Sequence, residues 1–433
     1  MTARPYGALR HRDFRRLALS QLVSMIGTQM QVVGLNWHVY LLTGSPLALG
    51  FVGLTRVLPI ILFSMWGGIL ADRADRRRVM LWTQATMALL SLTLALVTLS
   101  GKDHIAILYL LNALLAAAGS FDNPARQALL PRLVPAAELG GAIALNLTFF
   151  QTALIGGPGL AGLLIAGTGS GWLTAGTAVA AFGGSAKTGA LALLYGLNAL
   201  SYLTVLWAVA TMRTSGKVDN PSGVYASPFT SLREGLRFVL TTPLLVWTSA
   251  LDFFATFFSG AMSLLPIVAD RVLGVGASGY GWLAAAPALG ALIGSLYTSL
   301  LPLPRRQGHL LLGSVAAYGL ATIAYGLSRS FAFTFVALAF TGLADVVSTV
   351  IRQTLRQLIT PDGLRGRMTG VNMIFFMGGP QLGELEAGFV ASLFSSAILG
   401  VTVSIVSGGL ATLVAAAVIA GVAPVVREYE QMR

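Results

Sequence analysis

The stretch Leu145–Gly162, LNLTFFQTALIGGPGLAG, returns 226 residues later as Val371–Gly388, VNMIFFMGGPQLGELEAG. The Asn, the Phe-Phe pair, one Gly and the closing Ala-Gly hold the same positions in both copies. Arg126-Gln127 returns at the same offset as Arg352-Gln353. Both stretches lie in apolar runs of the length that crosses a bilayer as a helix, about 20 residues. A long apolar chain made of two similar halves predicts two bundles with a pathway between them, which is the plan of a transporter.

The composition of the chain is that of a membrane protein. Its 433 residues are 55% hydrophobic and 10% charged, whereas soluble domains carry roughly 25% charged residues. The apolar runs are long and continuous, unlike the short alternating segments of a strand barrel. The sequence therefore predicts an all-α integral membrane protein with twelve transmembrane helices in two pseudo-symmetric six-helix bundles. The predicted spans, numbered 1 to 12, are 15–42, 46–71, 78–100, 104–128, 138–166, 188–211, 244–269, 276–301, 309–327, 331–351, 365–393 and 398–424.

The net charge of +12 follows the predicted loops and does not form a patch for nucleic acid. Of the 28 Lys and Arg residues, 23 lie in the N-terminal tail, in the even-numbered connections with their flanks and in the C-terminal tail. Four fall in odd-numbered connections, Lys102, Lys187, Arg271 and Arg329, and one, Arg56, lies inside a span. The positive-inside rule then places both termini and the even-numbered loops in the cytoplasm. We expect a multi-pass protein of the bacterial cytoplasmic (inner) membrane that contacts membrane lipid, binds no nucleic acid and acts as a monomer. The first span is expected to be retained and not cleaved as a signal peptide.

The two bundles are expected at 1–212 and 243–433, joined by a cytoplasmic linker at 213–242. Within the linker, Ser231–Leu240 has the pattern of a short amphipathic helix on the membrane surface, or of a solvated connection. The stretch 167–187 is too rich in Gly for a span and too apolar for a typical loop. It is interpreted as an external loop, with a re-entrant segment as the alternative.

The connection between spans 2 and 3 reads GILADRADRR at Gly68–Arg77. The pattern G-x-x-x-D-R-x-x-R-R resembles the loop signature of the major facilitator superfamily, in which the position of Asp75 is commonly Gly. Gly68 is expected to let helices approach closely, and Asp72 to meet the positive end of another helix. An ordinary positive-inside cluster would explain the arginines but neither of these two residues.

The resemblance implies a latch that closes the cytoplasmic side. Its residues are Gly68, Asp72, Arg73, Arg76, Arg77 and Asp122. In such a latch Asp72 meets the N-terminal end of span 11, and Arg76 pairs with Asp122 on span 4. Asp122 and Arg126 are also spaced to form a local pair on one helix.

Three further stretches resemble the enterobactin-exporter and macrolide-efflux branch of this superfamily. They are Leu9–Leu17, Thr43–Pro46 and Thr360–Gly370. Together with the loop signature, they extend the resemblance over almost the whole chain. It implies export of a small organic molecule, of drug or siderophore type, usually coupled to protons.

The fifth span carries GGPGLAG at Gly156–Gly162, which resembles the signature of exporters within the superfamily. A proline removes a backbone donor and glycines thin the helix, so the span is expected to bend and pack closely. The residues of this exporter motif are Gly157, Pro158, Ala161 and Gly162. Generic packing of small residues is the alternative interpretation.

Two polar stripes run along spans 1 and 7, which begin the two halves. At about 100° per residue, each stripe falls within a sector roughly 100° wide or less. Such stripes face a watery cavity or a polar partner, not lipid. The first stripe comprises Gln21, Ser24, Thr28, Gln31 and His38, and the second comprises Thr248, Asp252, Thr256, Ser259 and Ser263. We interpret them as lining the substrate cavity, with bonds back to their own helix as the alternative for Ser and Thr.

Charged residues within apolar spans include Arg56, Asp252, Glu384 and Glu386, and such residues are usually functional or paired. Asp252 lies on the second stripe among phenylalanines, of which Phe253 and Phe257 are candidates to stack on substrate. A carboxyl among apolar groups holds a proton more readily. Asp252 and Glu384 are therefore the two candidates for proton coupling.

Arg56 and Glu384 are both predicted to lie roughly 15 Å deep in the membrane, at 1.5 Å per residue. Spans 2 and 11 are neighbours across the bundle interface in the resembling superfamily. The depth and the resemblance together suggest an ion pair between the bundles, made in one state and broken in another. A role for Glu384 with protons or substrate alone is the competing interpretation.

Motifs of soluble enzymes are missing from the sequence. There is no nucleotide-binding P-loop, no H-E-x-x-H and no G-x-S-x-G, and no cysteine for thiol chemistry. These absences argue against an enzyme, a cofactor or a metal site, and the resemblance given above implies a proton-coupled exporter working by alternating access. An importer or a lipid flippase on the same fold, or a non-transporting membrane sensor, are the alternatives.

Overall fold

The computed structural model describes residues 7–169, 186–217, 228–300, 304–361 and 365–430, and over these ranges all regular structure is helical. Twelve long helical segments follow one another along the described chain. Spans 1 to 6 are Arg12–Thr43, Pro46–Arg73, Arg76–Leu99, Ile105–Leu129, Leu139–Gly169 and Ala186–Ala210. Spans 7 to 12 begin with Pro243–Phe258 and continue with Gly276–Leu300, Gln307–Leu327, Phe331–Ile359, Arg365–Ser392 and Ala397–Val422.

Ten of these segments are long and apolar enough to cross a membrane. The other two, spans 1 and 11, have the length but carry more polar side chains, including the first polar stripe and the two intramembrane glutamates. The prediction of an all-α membrane protein is confirmed.

The seventh span is broken, which the periodicity of its stripe did not anticipate. Its first helix ends at Phe258, a short turn covers Ala261–Leu264, and helical structure resumes to Val272. At the break a side chain on Gly260 would lie 2.8 Å from the backbone carbonyl carbon of Gly383 in span 11. The prediction that Ser263 shares a helical face with Asp252 assumed an unbroken helix, so this argument does not apply beyond Phe258.

The chain divides into two compact units. Unit 1 comprises residues 1–42 and 58–223, and unit 2 comprises 43–57 and 224–433. The beginning of span 2 thus belongs with unit 2, whereas the bundle boundaries at 212 and 243 remain a prediction. A helix at Pro228–Thr241 occupies the segment of the predicted amphipathic stretch. Most of the stretch 167–187 lies outside the described residues.

Each unit has its own apolar core. In unit 1 the core includes Phe14 and Met80, and in unit 2 it includes Leu251 and Ile351. Large apolar side chains also cover the outside of the helices; Trp82, for example, is 77% exposed. Lipid solvates such side chains as well as a protein core does, so close packing and polar contacts must supply the specificity between spans.

Spans 8 and 10 pack against each other through two glycines, one on each helix. A Cβ atom on Gly290 would overlap the carbonyl oxygen of Ala339, and one on Gly342 would overlap the carbonyl oxygen of Pro287. The two helices therefore contact each other backbone to backbone at two successive levels, in the manner of small-residue membrane interfaces.

A carboxylate ties the beginning of span 1 to the chain that leaves span 6. Asp13 Oδ2 accepts hydrogen bonds from the backbone N–H of Arg213 at 2.9 Å and of Thr214 at 2.8 Å, and from the Thr214 hydroxyl at 2.7 Å. Partial burial tends to raise the pKa of Asp13. The hydrogen bonds from Thr214 and Arg213 and the charge of Arg12 outweigh it and hold this pKa below its usual range.

Replacing Asp13 with Asn is expected to lower the thermal stability of the protein more at about pH 7 than at about pH 3. Because the pKa is lower in the folded state, the carboxylate stabilises the fold above its unfolded pKa, and this contribution is lost as the pH falls through the folded value. Thermal unfolding followed by tryptophan fluorescence measures the difference. Glu428→Gln, at an exposed carboxyl, is the control, and an Asp13→Asn effect of equal size at both pH values would contradict the assignment.

Candidate functional site

The first polar stripe meets partners inside unit 1. Gln31 Oε1 accepts hydrogen bonds from Ser91 at 2.9 Å and from Asn198 at 2.7 Å. The hydroxyls of Thr28 and Tyr202 are 3.1 Å apart. These partners lie on spans 3 and 6, so this part of the stripe joins three helices, and Ser24 is buried on the same face.

His38 is fully buried near the end of span 1. Its Nδ1 lies 3.2 Å from the Tyr195 hydroxyl, and its Nε2 lies 2.8 Å from Asp103 Oδ2. Both ring nitrogens thus have partners within unit 1, which is the arrangement of a histidine that holds helices together.

A second polar cluster surrounds Arg126 on span 4. Its Nη1 donates to Gln21 Oε1 at 3.1 Å, and its Nε lies 3.8 Å from Asp122 Oδ2. Asp122 Oδ1 accepts from Thr83 at 2.9 Å and from Gln84 at 3.0 Å. The predicted local pair of Asp122 and Arg126 is therefore present.

The predicted pair of Arg76 with Asp122 is not formed among the side chains that the structure describes. Arg76 instead donates from Nε to the carbonyl of Ala71 at 3.1 Å and from Nη1 to the carbonyl of Ala128 at 3.0 Å. These carbonyls lie near the C-terminal ends of spans 2 and 4, where a cation is favoured. Arg76 thus holds the two helix ends together without needing the carboxylate.

Two more residues of the loop signature behave differently from the expectation. A Cβ on Gly68 would have open space within 4 Å, whereas one on Gly67 would overlap the carbonyl oxygen of Ser120 in span 4. The close approach predicted for Gly68 is therefore made by its neighbour. Asp75, at the position commonly Gly, caps span 3 by accepting the N–H of Arg77 at 2.9 Å.

The remaining latch residues are Arg73, Arg77 and Asp72. Arg73 ends span 2, and Arg77 donates to the carbonyl of Ala210 at 2.5 Å. The side chain of Asp72 lies outside the described residues, so its predicted contact with span 11 remains a prediction.

The exporter motif packs span 5 tightly on span 1. A Cβ on Gly157 would lie 2.5 Å from the Gln29 Cβ and 3.0 Å from the carbonyl oxygen of Ile26. Pro158 lies within a helix that continues to Gly169, and both Ala161 and Gly162 are buried. The motif therefore serves close helix packing.

A cavity of about 500 Å³ opens between spans 1, 4 and 5 of unit 1. It combines one guanidinium and three side-chain amides with aromatic and aliphatic walls, the pattern of a site for a small amphipathic molecule. Its lining includes Phe14, Gln21, Met25, Arg126, Asn146 and Phe150. A groove of about 660 Å³ between spans 3 and 6 is lined by Ala, Leu and Gly alone and suits lipid chains.

In unit 2, Asp252 has a cation beside it. Arg352 Nη2 on span 10 lies 2.7 Å from Asp252 Oδ1, and the two side chains are 4% and 9% exposed. Arg352 also donates to the hydroxyls of Ser348 at 2.6 Å and Thr349 at 2.9 Å. The expectation of a carboxyl amid aromatic and apolar groups did not include this guanidinium, because Arg352 is distant from Asp252 in the sequence.

The other members of the second stripe also have hydrogen-bond partners, two within their own helix and two on other spans. The hydroxyls of Thr248 and Thr256 donate to carbonyls four residues earlier in their own helix. Ser259 and Thr412 hydroxyls are 2.9 Å apart, and Ser263 donates to the Glu384 carbonyl at 3.4 Å. Phe253 and Phe257 stack with centroids 5.7 Å apart.

Glu384 lies where the beginning of span 2 packs against span 11 within unit 2. A Cβ on Gly53 would lie 2.6 Å from Glu384 Oε2, and one on Gly50 would lie 2.7 Å from the Glu384 carbonyl oxygen. The Arg56 guanidinium is close enough for a favourable Coulomb interaction with the carboxyl of Glu384. Arg56 lies one turn after Gly53 on the helix that packs against Glu384, while a direct ion pair and its change between states remain predictions.

Several polar residues of these clusters were not among the predicted site residues, for example Asn198, Gln84 and Arg352. The repeat of Arg126-Gln127 as Arg352-Gln353 was the available signal for the arginine. In both units an arginine at this repeated position bonds a polar side chain of the unit's first span. In the described part of the chain, no three His, Asp or Glu side chains group as a metal site.

Comparison with known proteins extends over nearly the whole chain. The sequence model of a family described as transmembrane secretion effector matches residues 3–183 and 174–432. Enterobactin exporter EntS of Shigella boydii serotype 18 is 27% identical over 385 residues, covering 89% of this chain and 86% of that protein. Enterobactin exporter EntS of Escherichia coli O1:K1 is 26% identical with the same coverage.

Solved structures show the same fold at low sequence identity. A bacterial homologue of the human lysosomal transporter Spinster, inward-facing and occupied, is 16% identical with a TM-score of 0.74, covering 96% of this chain and 98% of that one. A bacterial homologue of the iron transporter ferroportin, inward-facing, is 17% identical with a TM-score of 0.66, covering 95% and 98%.

Proposed function

This chain belongs to the transmembrane secretion effector family of the major facilitator superfamily, and from that premise we propose that it exports a small organic molecule in exchange for protons. The chain is a multi-pass membrane transporter and not an enzyme. The observation that carries the direction of transport is the match, over 89% of the chain, to proteins named as enterobactin exporters.

The proposed substrate is an amphipathic molecule of siderophore or drug type. The cavity of unit 1 supports this class, because Arg126, Gln21 and Asn146 offer donors beside the rings of Phe14 and Phe150. A catechol or carboxylate group suits the guanidinium, and the apolar walls suit the body of such a molecule.

The proposed energy source is a proton gradient, used by alternating access. Carboxylates inside apolar spans support it, because Asp252 lies against Arg352 and Glu384 near Arg56. Protonating a carboxylate weakens its ion pair, so a proton can change which helices are held together. We keep Asp252 and Glu384 as proton-coupling candidates and propose that the Arg56–Glu384 pair differs between states.

The proposed setting is the bacterial cytoplasmic membrane, with both termini in the cytoplasm and the protein acting as a monomer. The distribution of Lys and Arg among the connections supports this orientation. Labelling of single cysteines added to the odd and even connections tests it, since the chain has no cysteine of its own.

Reconstitution into liposomes tests the proposed function. With enterobactin as the probe, an imposed pH gradient is expected to drive its accumulation in the compartment of lower pH. The control is a potassium diffusion potential of similar size without a pH gradient. Absence of enterobactin movement under every gradient would contradict export of this siderophore class, and accumulation in the compartment of higher pH would indicate proton symport, as in an importer.

A further inference from the structure

Asp345 lies at the midpoint of span 10, the helix that also carries Arg352, whereas Asp252 lies on span 7. Asp345 Oδ1 is 3.8 Å from Arg352 Nη2, the same nitrogen that lies 2.7 Å from Asp252. Two carboxylates therefore share one guanidinium inside unit 2. With both carboxylates ionised the group carries one negative charge in excess, which is expensive in an apolar span.

The two carboxylates differ in access. Asp252 is 9% exposed and held at hydrogen-bonding distance by Arg352, whereas the Asp345 side chain is 43% exposed. Of the pair, Asp345 is thus the one that water can reach without breaking the short ion pair.

A small chamber adjoins Asp345 between spans 7, 8, 9 and 10. Its volume is about 120 Å³, room for about four waters at about 30 Å³ each. Oxygen atoms dominate its polar lining, which comprises Ser259, Tyr318, Thr322, Tyr325, Thr341 and Asp345. Tyr325 is 3% exposed, and its hydroxyl has no partner among the described residues.

We infer that Asp345 is the carboxyl that takes up and releases the transported proton, and that the hydroxyl-lined chamber beside it is the hydrated route to its oxygens. The inference rests on the proposed proton-coupled export and names a residue outside the two candidates drawn from the sequence. A hydronium ion in the chamber transfers a proton to a carboxylate oxygen of Asp345. One O–H bond of the hydronium breaks, one O–H bond forms on the carboxyl, a water molecule remains, and the excess negative charge is removed. The Asp252–Arg352 pair remains intact.

The charged surroundings favour a proton over a metal cation. Arg352 lies two turns from Asp345 along span 10, and Arg356 lies one turn further. Asp252 faces Asp345 from span 7, and Tyr318 and Tyr325 face it from span 9. Span 8, which also packs here, contains no charged residue. A guanidinium 3.8 Å away repels Na⁺, whereas a proton bonds covalently to the carboxylate and leaves Arg352 paired with Asp252.

The forms of the protein with Asp345 protonated and with Asp345 ionised differ by one charge near the middle of span 10. An equilibrium between two conformations shifts only when a ligand interacts differently with them. A proton on Asp345 meets this requirement if the chamber opens to different sides in the two conformations. Uphill transport then depends on Asp345, while substrate binding and downhill exchange do not.

The test compares wild type, Asp345→Asn and the matched control Glu386→Gln in proteoliposomes, with enterobactin as the probe. We expect Asp345→Asn to lose accumulation driven by a pH gradient and to keep exchange of labelled for unlabelled enterobactin at equal pH. Glu386→Gln, a carboxyl of span 11 outside the cluster, is expected to keep both. If wild type does not move enterobactin the proposed function fails, whereas if Asp345→Asn accumulates it like wild type the inference alone fails. Accumulation driven by a Na⁺ gradient in place of a pH gradient would also overturn the inference.

A measurement that needs no substrate distinguishes loss of the protonated carboxyl from a general loss of transport. In pH-difference infrared spectra of the purified protein in lipid, the C=O region of protonated carboxyls is expected to lose one component in Asp345→Asn, and Glu386→Gln is expected to keep that component. A difference spectrum of Asp345→Asn identical to that of wild type would contradict the assignment. Tyr325→Phe removes only a hydroxyl of the chamber; we expect slower pH-driven accumulation with unchanged exchange, and an unchanged rate of accumulation would argue against the chamber as the route.

Discussion

Replacing Arg352 with Gln is expected to destabilise the protein by about 3–5 kcal/mol, because it leaves the buried carboxylate of Asp252 without its cation. The 2.7 Å contact and the low exposure of both side chains place this pair in the class for which loss of one partner is severe. The same change also strips Asp345 of its nearest positive charge. Thermal unfolding in lipid nanodiscs, followed by tryptophan fluorescence, measures the loss.

The double variant Asp252→Asn/Arg352→Gln separates charge from packing. It carries no unpaired charge at Asp252, so we expect it to be clearly more stable than Arg352→Gln alone. Arg306→Gln is the matched control, since Arg306 pairs with Glu430 at 3.6 Å on the surface and such pairs contribute about 0–1 kcal/mol. Additive losses in the double variant would show that the pair is not coupled.

Gly290→Ala is expected to destabilise unit 2 by about 1–3 kcal/mol or more, because one methyl group has no room between spans 8 and 10. The new Cβ would overlap the carbonyl oxygen of Ala339, a backbone atom that cannot rotate away. Separating the two helices would also open the contact of Gly342 with Pro287, on the wall of the chamber beside Asp345.

Gly313→Ala supplies the control for this change. Gly313 is also a glycine within a long helix, span 9, but a Cβ there would meet nothing within 4 Å. The helix preference of alanine over glycine, about 1 kcal/mol, is then the main effect, and Gly313→Ala is expected to stabilise slightly. Opposite signs for the two variants in thermal unfolding are the expected result; equal shifts would show that spans 8 and 10 separate at little cost.

The two arginines at the repeated position show how far a repeat can guide interpretation. Arg126 and Arg352 occupy matching places in sequence and each bonds a polar residue of its unit's first span. Their partners differ in charge: Gln21 is neutral, whereas Asp252 is a carboxylate. The two units therefore share the position of the arginine but differ in the charge of its partner. This difference is consistent with the proposed substrate role of the cavity of unit 1 and the proposed proton role of the cluster of unit 2.

The sequence by itself determined the helical membrane fold and the positions of the spans. Hydrophobic length is a local property, and a bilayer accepts only segments that satisfy their own backbone, so twelve apolar runs predict twelve helices. It also indicated that Gln31 and Asp252 do not face lipid, because burying such groups without partners is too unfavourable.

Only the tertiary structure decided which residues meet. Arg352 is 100 positions from Asp252 in the chain, and nothing in either local pattern indicates that the two helices pack with these side chains in register. The same holds for the break at Gly260, which lies against Gly383, and for Gly67, which takes the close contact expected of Gly68. Helix contacts in a membrane depend on shape and polar pairing between distant segments, so the ion cluster and the chamber beside Asp345 could be located only once the spans had been placed together.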